Sequence, residues 1–246
     1  MTNKWNYQPP TQTEIQERDH LAAELGLSPV ISLLLVRRGL KTAKEVKKFF
    51  RPSLNDLEDP FLMPDMQKAV SRLNQALGEK EKILIYGDYD VDGTTAVSLV
   101  YKYLRAYTSN LYYYIPDRYD EGSGISIKGI DYAHSIGVTL IISLDCGIKA
   151  IDKIEYAKEK GIDFIICDHH MPDETLPDAV AVLDAKREDS IYPYEHLSGC
   201  GVGFKFMQAF AISNKRPFSE LEKLLEFTAV SIASDIVPIT GENRIL

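Results

Sequence analysis

The sequence predicts an α/β fold: a five-stranded parallel sheet with helices on both faces, preceded by a small helical amino-terminal region. From Lys82 onward, short β-branched apolar runs alternate with segments of helical periodicity, the pattern of a parallel sheet covered on both sides. Before that point apolar residues recur at helical spacing between prolines. At 45% hydrophobic and 26% charged over 246 residues, the chain can also bury a sizeable core, which excludes disordered, collagen-like and disulfide-scaffold classes.

Taken in order, Leu21, Leu25, Val30, Leu33, Leu34 and Val36 form a helical pattern around Ser28-Pro29 that Gly39 closes, and Thr42 offers an N-cap for a helix over Ala43–Phe50. Pro52, Pro60 and Pro64 punctuate an irregular passage before a helix from about Met66 to Leu77. Residues 1–79 are thus expected to be a helical region packed on a domain spanning 80–246. In that domain Ile83–Gly87, Leu111–Pro116, Thr139–Leu144, Asp163–Cys167 and Ala179–Leu183 read as buried strands. The helices expected between and after them are Thr94–Tyr107, Ile127–Ile136, Ala150–Lys160, Val202–Asn214 and Ser219–Ala233.

Every expected strand runs into an acid: Asp88-Tyr89-Asp90-Val91-Asp92, Asp117-Arg118, Asp145, Asp168-His169-His170 and Asp184. Ligands of open parallel sheets bind beyond the carboxyl ends of the strands. One such Asp is ordinarily a helix cap or turn residue, but an aligned rim of them, joined by two adjacent histidines, is harder to explain as structure alone. Clustered carboxylates raise one another's pKa unless cations hold them together. Asp and His without thiolate suit Mn²⁺ or Mg²⁺ better than structural zinc. The 88–93 segment fails as an EF-hand, because Leu99 stands where that loop needs its twelfth-position Glu and a strand precedes it. Instead a helix starts directly after these acids, and amides beside metals describe a phosphate site.

Taken whole, the formal charge of -8 weighs against a nucleic-acid coat protein. The charge is uneven, however: residues 1–80 carry 12 basic and 10 acidic side chains, and residues 81–246 carry 16 and 26. Cys146, Cys167 and Cys200 are odd in number and unpaired in spacing, as expected of reduced thiols. With no run of about 20 apolar residues, the chain reads as cytosolic, without a membrane partner.

The segments Gly-Asp-Tyr-Asp-Val-Asp-Gly (87–93), Ile-Pro-Asp-Arg-Tyr-Asp-Glu-Gly-Ser-Gly (115–124), Leu-Asp-Cys-Gly-Ile (144–148), Cys-Asp-His-His (167–170) and Ser-Asp-Ile-Val-Pro (234–238) resemble the ordered motifs of the DHH phosphoesterase superfamily. The second motif, with Ser-Gly-Cys-Gly-Val-Gly-Phe-Lys (198–205), is similar to the RecJ-type single-stranded-DNA-specific exonucleases within it, and the leader around Arg38-Gly39 and 59–66 shares that likeness. The resemblance implies two Mn²⁺ or Mg²⁺ ions and hydrolysis of phosphodiester bonds from a 5′ end, releasing mononucleotides in DNA repair and recombination. Single-stranded DNA is the implied partner, with a helicase or single-strand-binding protein in the cell.

On matching positions, the resemblance makes Asp145 the bridging ligand, completed by Asp90, Asp92, His169 and Asp235, with Asp88 either a ligand or a partner of one. It has Asp168 orient its neighbours and His170 face the scissile phosphate. Arg118 is its candidate for the 5′ phosphate, against a plain ion pair with Asp117, Asp120 or Glu121. Gly199, Gly201, Gly203 and Lys205 either let a phosphate approach or pack a helix on the sheet, and Tyr119 is the one tyrosine of its region placed to stack on a base. Two divalent ions would take six of these acids (Asp88, Asp90, Asp92, Asp145, Asp168, Asp235) from -6 to about -2, so acidity here is compatible with a nucleic-acid substrate. RecJ-type proteins continue into a second catalytic-side domain and an oligonucleotide-binding barrel, so the chain is expected to be an amino-terminal portion with a complete metal site and weak or no activity alone. The alternatives are a nanoRNase or cyclic-dinucleotide phosphodiesterase of the same superfamily, and a non-catalytic replication scaffold, which loss of ligands would mark.

Overall fold

A computed structural model describes Lys4 and residues 6–246. The chain divides into two compact units, one running to Asp56 and the other spanning Leu57–Leu246. The first unit holds α1 (Gln12–Leu25), α2 (Pro29–Arg37) and α3 (Ala43–Phe50). Capping boxes at Thr11/Glu14 and Thr42/Glu45 start α1 and α3, and Ser28 with Pro29 at the first helical position starts α2. Leu21, Leu35, Val36 and Val46 form the core of this unit.

The second unit contains α4 (Met66–Gly78), β1 (Ile83–Gly87), α5 (Val91–Leu104), β2 (Leu111–Tyr114), α6 (Ile127–Ser135), β3 (Leu140–Leu144), α7 (Ile151–Glu159), β4 (Asp163–Cys167), β5 (Ala181–Leu183), α8 (Gly199–Ser213), α9 (Ser219–Glu222) and α10 (Leu225–Ser234). The strands are all parallel, in the order β2-β1-β3-β4-β5. Alternation along the strands sorts the two cores. Ile83, Ile85, Ile142, Leu144 and Ile165 pack with α4, α5 and α8 on one face, while Leu84, Tyr86, Ile141, Phe164 and Ile166 pack with α6 and α7 on the other. The chain leaves β1 toward β2 and returns to β3 on β1's other side, so the topological switch point lies between β1 and β3.

Several boundaries differ from those the sequence predicts. Helix α4, expected in the leader, belongs to the sheet unit: Met66, Ala69, Val70, Leu73 and Ala76 lie in its core, and Arg72 bonds Glu81 through two nitrogens and Asp163 through a third. Helix α5 starts before Thr94, because Asp90 accepts the Gly93 amide as N-cap. Helix α8 begins at Gly199 behind a Ser198 cap. The single helix expected over 219–233 is two, α9 and α10, separated at Lys223-Leu224. All three cysteines are free and buried, and no helix among the described residues is long and apolar enough to cross a membrane.

Candidate metal centre at the switch point

The loop after β1 distributes three carboxylates by depth. Asp88 is half-buried, Asp90 exposed and Asp92 buried in the first turn of α5. Gly93 makes this tight turn sterically feasible, since a Cβ there would stand 2.3 Å from the Asp88 carbonyl oxygen. Both Asp92 oxygens are held. Oδ1 accepts the Cys200 amide and the Ser231 hydroxyl, each at 2.7 Å, and Oδ2 accepts the Gly199 amide at 2.7 Å. Ser231 lies 2.6 Å from Ser198 Oγ, so the hydroxyl pair and the α8 N-terminus together orient this carboxylate. With two donors on Oδ1 and one on Oδ2, the remaining lone pair belongs to Oδ2, the atom that faces His169.

Asp145, the residue after β3, adopts φ +60 with its side chain 4% exposed. Among the described residues its Oδ1 makes no hydrogen bond, and neither do the two ring nitrogens of His169. His169 Nε2 lies 3.1 Å from Asp145 Oδ1 and 3.7 Å from both Asp92 Oδ2 and Asp235 Oδ2. Asp235 caps the C-terminus of α10. Two overlapping groups, Asp145-His169-His170 and Asp92-His169-Asp235, each gather their ligand atoms within 4.8 Å of one another.

Asp168 is arranged differently. Its Oδ1 accepts the amides of His169 and His170 and lies 2.7 Å from His170 Nδ1, while Oδ2 accepts the Ile148 amide at 2.9 Å. Burial works to raise its pKa, but the His170 imidazole and these amides hold it below the ordinary value; the same bond raises His170. Asp145 has burial and the charges of Asp92 and Asp90 acting together and is pushed up to about 10. Burial raises Asp88 and Asp235 as well. Unpartnered buried Asp and His atoms, crowded carboxylates and the lack of thiolate among them form a donor set that fits hard divalent cations.

The other residues singled out in the sequence fall elsewhere. Arg118 is exposed, with its guanidinium 5.2 Å from the centre of the Tyr89 ring beside the metal loop; among the described residues it has no salt bridge to Asp117, Asp120 or Glu121. Asp117 accepts the Tyr119 and Asp120 amides in a local turn, and Tyr119 is exposed. Asp184 is fully buried, accepts the Lys186 amide, and is pushed up to about 7 by burial. Of the two readings open for Gly199, Gly201, Gly203 and Lys205, the structure supports the packing of a helix on the sheet and corrects the substrate-binding one. The glycines are buried inside α8, and a Cβ on Gly199 would meet Asp145 Cβ at 2.5 Å. Lys205 is wholly buried, donating to Glu242 Oε1 at 2.9 Å and the Glu58 carbonyl at 2.6 Å, so it is not available to a phosphate. Sequence reasoning also missed Ser198 and Ser231; the available signal was Ser231 four residues before Asp235, on the same face of one helix. A cavity of about 420 Å³ opens beside the cluster, bounded by Asp88, Asp145, Asp168 and His170, with Lys149 and Lys153 also lining it.

Residues 82–232 match the family model described as "DHH family, N-terminal domain". The chain is 37% identical over 243 residues to the single-stranded-DNA-specific exonuclease RecJ of Bacillus subtilis, covering 99% of this chain and 30% of that protein. With RecJ of Escherichia coli it shares 33% identity, over 95% of this chain and 41% of that one. A crystal structure of exonuclease RecJ bound to manganese superposes with a TM-score of 0.69 at 28% identity, covering 78% of this chain and 47% of that chain. The chain therefore spans well under half the length of these curated relatives. The motif resemblance and the parallel-sheet fold both agree with these matches: the chain belongs to the DHH family and contains that family's amino-terminal domain.

Proposed function

We propose that the chain carries the metal centre of a RecJ-type nuclease: hydrolysis of phosphodiester bonds in single-stranded DNA from a 5′ end, dependent on two Mn²⁺ or Mg²⁺ ions. The observation that carries this reading is the convergence of Asp92, Asp145 and Asp235 on the buried His169, with Asp145 Oδ1 and His169 Nε2 making no hydrogen bond among the described residues. The relatives' names support the substrate class, and a manganese-bound relative supports the cofactor.

In this reading Asp145, with Asp90, Asp92, His169 and Asp235, would hold the ions, and Asp88 would stand at the edge of that set. Such ions supply Lewis-acid neutralisation of phosphoryl charge and activation of water near neutral pH. The protein's part is geometric and electrostatic. Ser231 and the α8 amides fix Asp92 so that Oδ2 alone is offered. Asp168 pins His170 through Nδ1, which leaves Nε2 of a half-exposed, readily protonated imidazole to meet a phosphate oxygen. Arg118, exposed over Tyr89, is free to take the 5′ phosphate through its planar fork. The cavity of about 420 Å³ lies within the range of small-ligand sites and suits one nucleotide.

The test has two arms. Mn²⁺ binding to the chain, followed by titration calorimetry, is expected in the wild type and lost in Asp145→Ala. Digestion of 5′-labelled single-stranded DNA in Mn²⁺, with chelator, dinucleotide and cyclic-dinucleotide controls, reads the substrate. Mn²⁺ binding that survives Asp145→Ala would remove the metal assignment, and preferential cleavage of dinucleotides would replace the RecJ-type reading with an oligonucleotide-clearing one. The metal arm stands whatever rate the chain alone delivers.

A further inference from the structure

Ile236, the residue after Asp235, has φ +57, a left-handed conformation that a β-branched residue holds only when its surroundings impose it. Its own side chain does not supply the constraint, being 87% exposed, and Ile239 is exposed too. The restraint lies further along the chain. Glu242 and Asn243 are buried: Glu242 Oε1 accepts Lys205 Nζ and the Glu58 amide, each at 2.9 Å, and Oε2 accepts the Tyr192 hydroxyl. Asn243 Nδ2 donates to the His196 carbonyl at 2.6 Å and the Pro238 carbonyl at 3.1 Å, and the Tyr194 hydroxyl donates to the same Pro238 oxygen at 3.0 Å. Segment 236–241 is thus tethered at both ends, by α10 on one side and by this buried anchor on the other.

We infer that Glu242 and Asn243 are positioning residues for Asp235: their anchor keeps Ile236 left-handed and so fixes the end of α10 from which the Asp235 carboxylate approaches His169. Asp92 needs no such device, because three hydrogen bonds clamp its carboxylate directly. Asp235 sits at a helix terminus, is partly exposed, and depends on the backbone that carries it. Lys205 serves the site through Glu242, with no contact to substrate. The inference rests on the proposed role of Asp235 as a metal ligand.

The experiment is Mn²⁺ titration calorimetry on the whole chain, with circular dichroism confirming that each variant is folded at the assay temperature. Asn243→Ala is expected to weaken Mn²⁺ binding about 10- to 100-fold, the usual cost of losing a partner that orients a metal ligand. Adding Ile236→Gly, which makes the left-handed conformation strain-free, should recover most of that loss, a response that general destabilisation would not give. Tyr194→Phe, which removes only the hydroxyl bonded to Pro238, should weaken binding in the same direction and covers the case in which Asn243→Ala does not fold. A folded Asn243→Ala or Tyr194→Phe with wild-type affinity overturns the inference, as does failure of Ile236→Gly to rescue. Asp235→Asn separates the two readings. If it leaves Mn²⁺ affinity unchanged, the ligand assignment falls and the positioning role with it; if it weakens binding while the anchor variants do not, the positioning role alone is overturned.

Discussion

Helix α8 borders two polar clusters that solve the same electrostatic problem in opposite ways. At its N-terminus, Asp92, Asp145 and Asp235 surround His169, and among the described residues Asp145 Oδ1 and both imidazole nitrogens make no hydrogen bond. At Lys205 on the same helix, one ammonium meets one carboxylate, and the Glu58 amide and carbonyl and the Tyr192 hydroxyl take up other hydrogen-bonding positions around the pair. Burial draws the Lys205 pKa below the ordinary lysine value, but the charge is matched. Where buried charge serves only the fold, partners accompany it. Where partners are missing and the charges share a sign, the protein fits something it does not itself contain.

That contrast is broken most severely at Asp145. Its pKa stands above the ordinary 3.8, at about 10, so the metal-free fold takes up a proton as it forms. Its stability therefore falls as pH rises above the ordinary carboxylate value. Asp145→Asn should flatten that slope and stabilise the metal-free chain at pH 8, measured by urea denaturation in chelator. The same substitution should weaken Mn²⁺ binding by more than the ~10- to 100-fold typical of losing a supporting partner. An unchanged pH slope would mean that the cage is not the source of the strain. Lys205→Met tests the other cluster and has the opposite sign: with Glu242 left buried and unmatched, the metal-free chain should lose about 3–5 kcal/mol. A loss below about 1 kcal/mol in the same denaturation experiment would show that the pair is not balanced as described.

The two clusters were also unequally legible in the sequence. Strand ends bearing Asp88, Asp90, Asp92, Asp145, Asp168, His169 and His170 are local signals, because a parallel sheet brings consecutive carboxyl ends to one rim whatever the loops between them do. The Lys205–Glu242 pair joins residues 37 apart through side chains on a helix and a late turn, and no periodicity announces it. Lys205 instead reads as a phosphate ligand or as a packing residue with equal right, since a Gly-rich stretch before a lysine suits either in one dimension. Gly199 is glycine because Asp145 lies against it, a contact between residues 54 apart in sequence that only the packed fold reveals. The start of α8 at Gly199, ahead of the expected Val202, is hidden for the same reason: three glycines suppress helical propensity, yet tertiary packing and the Ser198 cap override it.

Asp168 lies between the two clusters in kind, and it supplies the smallest of these effects. Like Glu242 it is buried with its hydrogen bonds made; like Asp145 it belongs to the rim. Its lowered pKa means that its contribution to stability is present above the ordinary 3.8 and lost as pH falls through the lowered value, whereas the raised pKa of His170 gives a contribution that is complete below the ordinary 6.5 and lost as pH rises through the raised value. The pair is therefore doubly charged only in the window between those two limits, the range in which an imidazolium beside a phosphate is useful. Asp168→Asn keeps an oxygen for the loop amides but removes the charge, so the His170 pKa should fall back toward 6.5 in an NMR titration of the metal-free chain. An unmoved His170 would mean that another group raises it, and the Nδ1 contact at 2.7 Å would then hold the ring in place without tuning its proton.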